Sequence, residues 1–124
     1  MENETKNPVL NIGIMANILG IHQRTLRIYD KNQILMPMRT IANRRLYSFA
    51  DIEKAKLILH LTRNLALNLS GVKIVLGLLE KLKIEPKESL KLLNAIALEK
   101  EIDEISNLKM TSKRGRKPKN KSNV

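Results

Sequence analysis

The chain has 124 residues, 43% of them hydrophobic, with a net charge of +11 and no cysteine. One small domain with an appended element fits that length and two large domains do not. The missing cysteines exclude a disulfide framework, a thiolate metal site and a thiol nucleophile, leaving a reducing cytoplasm as the expected compartment.

The first nine residues, opening MENETKNP, are acidic and polar, unlike a signal peptide, and are expected to be a disordered lead. Ile12, Met15, Ala16 and Leu19 then follow the i, i+3, i+4, i+7 pattern of a short helix, with Gly20 placed to end it in the left-handed region. Gln23 to Lys31 (QRTLRIYDK) reads as a second short helix, with Arg24 and Arg27 one turn apart on one face and Leu26 on another. Helix, glycine turn, helix within about 20 residues is the helix-turn-helix arrangement, in which the second helix enters the major groove.

Pro37 excludes helix over the next stretch. Two short extended runs, 36–39 and 44–47, flank the link TIAN and predict a small β-hairpin, a wing. Ser48 and Asp51 form a capping pair that opens a helix over 49–65, with Ile52, Ala55, Ile58, Leu59 and Thr62 on its inner face. Ser70 is expected to cap a further helix, 71–83, with Val72, Val75, Leu76 and Leu79 inward.

Pro86 suits the first turn of a last helix, 86–108. There Ala95, Leu98, Ile102 and Ile105 step by 3, 4, 3, a coiled-coil seam of about two heptads. The seam serves either self-association, the reading preferred here, or coverage of the domain's own core. The final stretch, TSKRGRKPKNKSNV, is polar and basic and should be disordered. Its Lys113, Arg114, Arg116, Lys117 and Lys119 read either as a generic tail that adds salt-dependent phosphate affinity or as an imperfect AT-hook, Lys117 separating Arg116 from Pro118.

The aromatics are only Tyr29, Tyr47 and Phe49, so the core must be aliphatic, which favours helices over a sandwich or barrel. The expected fold is therefore mainly all-α. It comprises a winged helix-turn-helix DNA-binding domain over 10–83 with a small β-hairpin wing, a C-terminal dimerisation helix over 84–109, and a basic tail over 110–124. No apolar run approaches the roughly 18 residues of a membrane span. His22 and His60 are isolated, and neither a ligand-spaced His pair nor a glycine-rich phosphate loop nor a Ser–His–acid set is present, so no enzyme, metal or cofactor is expected. Charge is concentrated instead: residues 109–124 carry +7 and residues 24–56 carry +5, two basic zones that point to a polyanion.

NIGIMANILGI (11–21), RTLRIYD (24–30), ILMP (34–37) and RRLYSFADIEKAKLI (44–58) resemble the MerR family of bacterial transcription regulators, winged helix-turn-helix dimers joined through an antiparallel coiled coil. NRRLYS (43–48) and LTRNLALNLSGVKIVLGLLE (61–80) are similar to its HspR branch, the heat-shock repressors of chaperone operons. The resemblance implies that Arg24, Thr25, Arg27 and Tyr29 face DNA, with Arg39, Arg44 and Arg45 of the wing gripping phosphates or the minor groove and Tyr47 beside them. Arginine can fork bidentately onto guanine or phosphate, whereas Thr25 either touches a thymine methyl or packs, and the two tyrosines are alternatively core residues. His22 stands where the family usually has a capping serine, and Arg44 where many relatives have an aromatic. Cysteines and a ligand-binding domain are absent, so no small-molecule ligand is expected; the DnaK chaperone is the modulating partner that the resemblance implies.

These readings converge on a homodimeric repressor that binds an inverted repeat in double-stranded DNA. A MerR-type activator, a tail-driven nucleoid-associated protein and a DNA-independent adaptor are the alternatives.

Overall fold

Asn11 opens the first sizeable helix because its side chain accepts from the Ile14 backbone N–H at 2.9 Å, satisfying one of the donors a helix start leaves free. That helix, α2 (Ile12–Leu19), closes on Gly20, whose φ of 67° is the left-handed conformation a side chain would oppose. The computed structural model describes residues 2–112, with side chains described for residues 4–108. One helical turn, α1 (Glu2–Thr5), occupies the segment where the sequence indicated no element. After α2 come α3 (Gln23–Lys31), strands β2 (Met38–Arg39) and β3 (Arg45–Tyr47), α4 (Phe49–Leu59), a π-helical turn His60–Asn64, α5 (Leu69–Lys81) and α6 (Pro86–Ser112). The mainly helical expectation holds, with the hairpin present at the place its turn residues indicated.

The sheet has one strand more than the hairpin. β1 (Leu10–Asn11) pairs antiparallel with β3, giving the order β1-β3-β2, with Leu10 opposite Tyr47 and Arg39 opposite Arg45. A two-residue strand has no alternation to read, and it exists because β3 offers it an edge. The hairpin turn is closed by the Asn43 N–H donating to the Thr40 carbonyl at 2.8 Å, with Asn43 at φ 63°, a conformation asparagine tolerates.

The Ser48–Asp51 capping box forms as expected: the Asp51 N–H donates to Ser48 Oγ at 3.1 Å, and the Ser48 N–H to the Asp51 carboxylate at 2.9 Å. The long regular helix expected over 49–65 does not. At His60 it widens into a π turn, marked by the Leu65 N–H reaching the His60 carbonyl. Leu61, one turn after the buried Leu57 and Ile58, is fully buried, whereas Thr62, expected inward, is only half-buried. Thr62 Oγ1 donates back to the carbonyls of Ile58 and Leu59 at 3.0 and 3.2 Å. Ser70 is likewise not the cap of α5. Asn68 is, its side chain accepting from the Gly71 N–H at 2.8 Å, which starts the helix two residues earlier. Val72 and Leu79 are buried as expected.

The chain divides into two units, Met1–Leu90 and Lys91–Val124. The first has its own core, in which Met15, Leu26, Leu35, Ile58 and Leu61 are fully buried. In the second, α6 presents Leu98, Ile102 and Ile105 at 57%, 53% and 54% exposure, and Ala95 is exposed as well. The basic tail from Lys113 onward lies outside the described residues.

Candidate nucleic-acid interface

The outer face of α3 carries the two arginines that the sequence singled out. Leu26 and Tyr29 turn inward and anchor the helix to the core, which leaves Arg24 and Arg27 on the exposed side and Thr25 half-buried between. The Arg27 guanidinium is oriented by its own helix, donating to Gln23 Oε1 at 3.0 Å one turn back. Arg24 has no hydrogen bond or ion pair among the described residues and extends free into solvent. His22 occupies the N-cap position in extended conformation but makes no side-chain capping bond, so the ring does not replace the family's usual serine.

The wing is fastened to the far end of the same helix. Asp30, in the last turn of α3, accepts from Arg39 Nη2 at 2.8 Å and from Arg45 Nε at 2.9 Å, both on the same oxygen, Oδ2. Arg39 also donates to Asn43 Oδ1 at 3.2 Å, tying in the hairpin turn. Of the three wing arginines only Arg44 is free of side-chain partners among the described residues; its backbone N–H donates to Thr40 Oγ1. Composition alone counted Asp30 as an acid that lowers the local charge and missed this role.

The two tyrosines are in the core, a correction to the DNA-facing position. Tyr29 is 4% exposed and Tyr47 is 0% exposed, which takes both rings away from any groove. An aliphatic interior with so few aromatics recruits those it has. Burial raises the Tyr29 hydroxyl above its ordinary range, with a Thr62 hydrogen bond and the Arg63 charge pulling the other way. Tyr47 is pushed up to about 12, first by burial and then by Asp30 and Asp51, against the pull of Arg45 and Arg39. Its hydroxyl has no hydrogen-bond partner among the described residues.

That orphaned hydroxyl gives a prediction with a definite sign. A folded-state value raised above the unfolded one means stability is fully present below pH ~10 and lost between ~10 and ~12, by about 3 kcal/mol at most. Tyr47→Phe should therefore be neutral or stabilising by about 1 kcal/mol at pH 7.5, since it removes an unsatisfied buried group. The variant should also lose less stability than the parent between pH 10 and 12 in urea melts. DNA affinity at pH 7.5 should not change; a drop of tenfold or more would put the hydroxyl back at the interface.

Comparison with known proteins decides what this arrangement belongs to. Residues 10–78, the span from β1 through most of α5, match the family described as MerR HTH family regulatory protein. The chain belongs to the MerR family. The HTH-type transcriptional regulator GlnR of Bacillus cereus is 36% identical over 93 residues, 70% of this chain and 71% of that protein. The putative heat shock protein HspR of Streptomyces coelicolor is 37% identical over 71 residues, 57% of this chain and 47% of that protein. A crystal structure of a MerR-family transcriptional regulator from Bacillus cereus covers 88% of this chain and 86% of its own, at 19% identity and a TM-score of 0.48. MerR membership makes the chain a DNA-binding transcriptional regulator rather than an enzyme, in a family that usually works as dimers. No helix among the described residues is long and apolar enough to cross a membrane.

Proposed function

We propose that the chain is a homodimeric repressor that binds an inverted repeat overlapping chaperone-gene promoters in the bacterial cytoplasm, and so sits on the nucleoid. One observation carries the DNA-reading part: Arg24 and Arg27 stand exposed on the helix that follows the Gly20 turn, beside an arginine-bearing hairpin fixed to that helix's end. In this reading each α3 lies in a major groove, its arginines reading guanines or forking onto phosphates, while Arg44 adds wing contacts to the backbone. Dimer geometry sets the half-site spacing. The seam Ala95, Leu98, Ile102 and Ile105 joins the protomers, and DnaK modulates the repressor. Support for the heat-shock regulon comes from the 37% identity with HspR.

The longer match to GlnR, 70% of this chain against 57% for HspR, favours a second reading in which the same DNA-binding head serves a different regulon. Immunoprecipitation of bound DNA across the genome, before and after heat shock, separates the two. The repressor reading expects inverted repeats covering promoter elements of chaperone genes, with occupancy falling on heating. Sites unrelated to chaperones would favour the second regulon, and sites lying between promoter elements would favour an activator.

The tail gives an independent test of the division of labour. Removing residues 111–124 should weaken binding to all sequences alike and flatten its salt dependence. The slope of log K against log salt should fall by about 0.9 for each phosphate that the tail no longer neutralises. If truncation abolished discrimination between sites, the tail and not α3 would be reading sequence.

A further inference from the structure

We propose that Asp30 is the positioning residue that sets the wing against the recognition helix, and that Arg39 and Arg45 serve this link rather than the DNA phosphates. The inference rests on the DNA-reading function proposed for α3. Arg39 and Arg45 are opposite one another in the β2–β3 register, where two like charges repel. A single carboxylate oxygen lies between them, 2.8 Å from one guanidinium and 2.9 Å from the other. The carboxylate itself stands in the last turn of α3, the end of a helix at which an acid is disfavoured by the dipole. Each group is thus poorly placed alone, and the three together are satisfied. The cluster is partly shielded from water: the Asp30 side chain is 14% exposed and that of Arg45 24%.

The consequence is geometric. Both strands of the hairpin are tied to the helix that carries Arg24 and Arg27, so wing and helix meet the duplex as one rigid head. Arg44, adjacent to the cluster but outside it, is left as the wing's free cation among the described residues. A loosened wing would still be basic and would still bind DNA, with its contacts no longer in register with those of α3. Asp30 therefore governs the preference for the operator over other DNA more than it governs affinity for DNA as such.

The test uses the full chain and fluorescence anisotropy on two duplexes: an operator recovered by immunoprecipitation and an unrelated sequence of the same length. Each is titrated across salt at a temperature where circular dichroism shows the variant folded. Asp30→Asn is expected to lower the operator preference at least tenfold. It should also steepen the salt slope on the unrelated duplex, because two released guanidiniums can each add about 0.9. Asp30→Glu keeps the charge and should recover most of the preference. An unchanged preference in the Asn variant, or a Glu variant no better than it, overturns the inference. Should Asp30→Asn not fold, Arg39→Gln cuts one link at an exposed residue: a lower preference supports the inference, and an equal loss on both duplexes overturns it. A parent protein with no preference between the duplexes would instead overturn the reading on which the inference rests, and the inference with it.

Discussion

If the proposed seam joins two protomers, replacing Leu98 and Ile102 together by glutamate is expected to dissociate them and to lower operator affinity by at least a hundredfold, with residues 10–83 still folded. Leu98, Ile102 and Ile105 are more than half exposed, an apolar stripe along α6. Burying a leucine or isoleucine contributes about 1.5–3 kcal/mol, and a twofold seam buries each of them twice. The surrounding helix is already acidic, with Glu99, Glu101, Asp103 and Glu104 against Lys100, so two further carboxylates in the seam would meet like charges as well as lose packing. A monomer keeps its reading head but engages one half-site at a time, which forfeits the effective-concentration gain of about 10²–10⁴ that linked binding provides. Sedimentation velocity reports the first change and anisotropy the second. A variant that remains a dimer would show that the seam does something else.

Arg27→Ala should cost about 1–3 kcal/mol in operator binding and relax sequence preference at a single position of each half-site. The guanidinium is exposed, and its hydrogen bond to Gln23 restricts it to one side of α3, reducing what must be ordered on binding. Deleting an exposed i, i+4 pair changes stability by only about a few tenths of a kcal/mol, so the binding loss would not be a folding effect. In vitro selection on the variant distinguishes base reading from phosphate binding. A base reader loses discrimination at one position, whereas a phosphate-bound arginine strengthens every sequence equally and its removal weakens them all.

What could be read before the fold was known was mostly what depends on near neighbours. The Ser48–Asp51 box, the Gly20 stop and the Pro37 break each act over three or four residues, and each appears where the sequence placed it. The cap of α5 was harder, because Asn68 and Ser70 are both competent; the helix begins at the earlier one, whose side chain reaches the Gly71 N–H. The π turn at His60 could not be read from periodicity, since the apolar pattern of 52–62 suits an ordinary helix. On α3 the outward placement of Arg24 and Arg27 was legible from their spacing, whereas the burial of Tyr29 and Tyr47 depends on tertiary packing. Asp30 was the main omission, because its role joins positions 30, 39 and 45 across three elements. An acid at a helix end that should prefer a base, just before an arginine-rich hairpin, was the available signal.

The central claim is that α3 reads sequence and the basic tail only adds affinity. The most direct measurement is retention of an operator duplex at about 150 mM salt under an excess of unrelated DNA. Specific regulators prefer their sites by about 10³-fold or more under such conditions, and that preference should survive removal of residues 111–124. Loss of the operator complex to the competitor, in the full chain or in the truncated one, would contradict it.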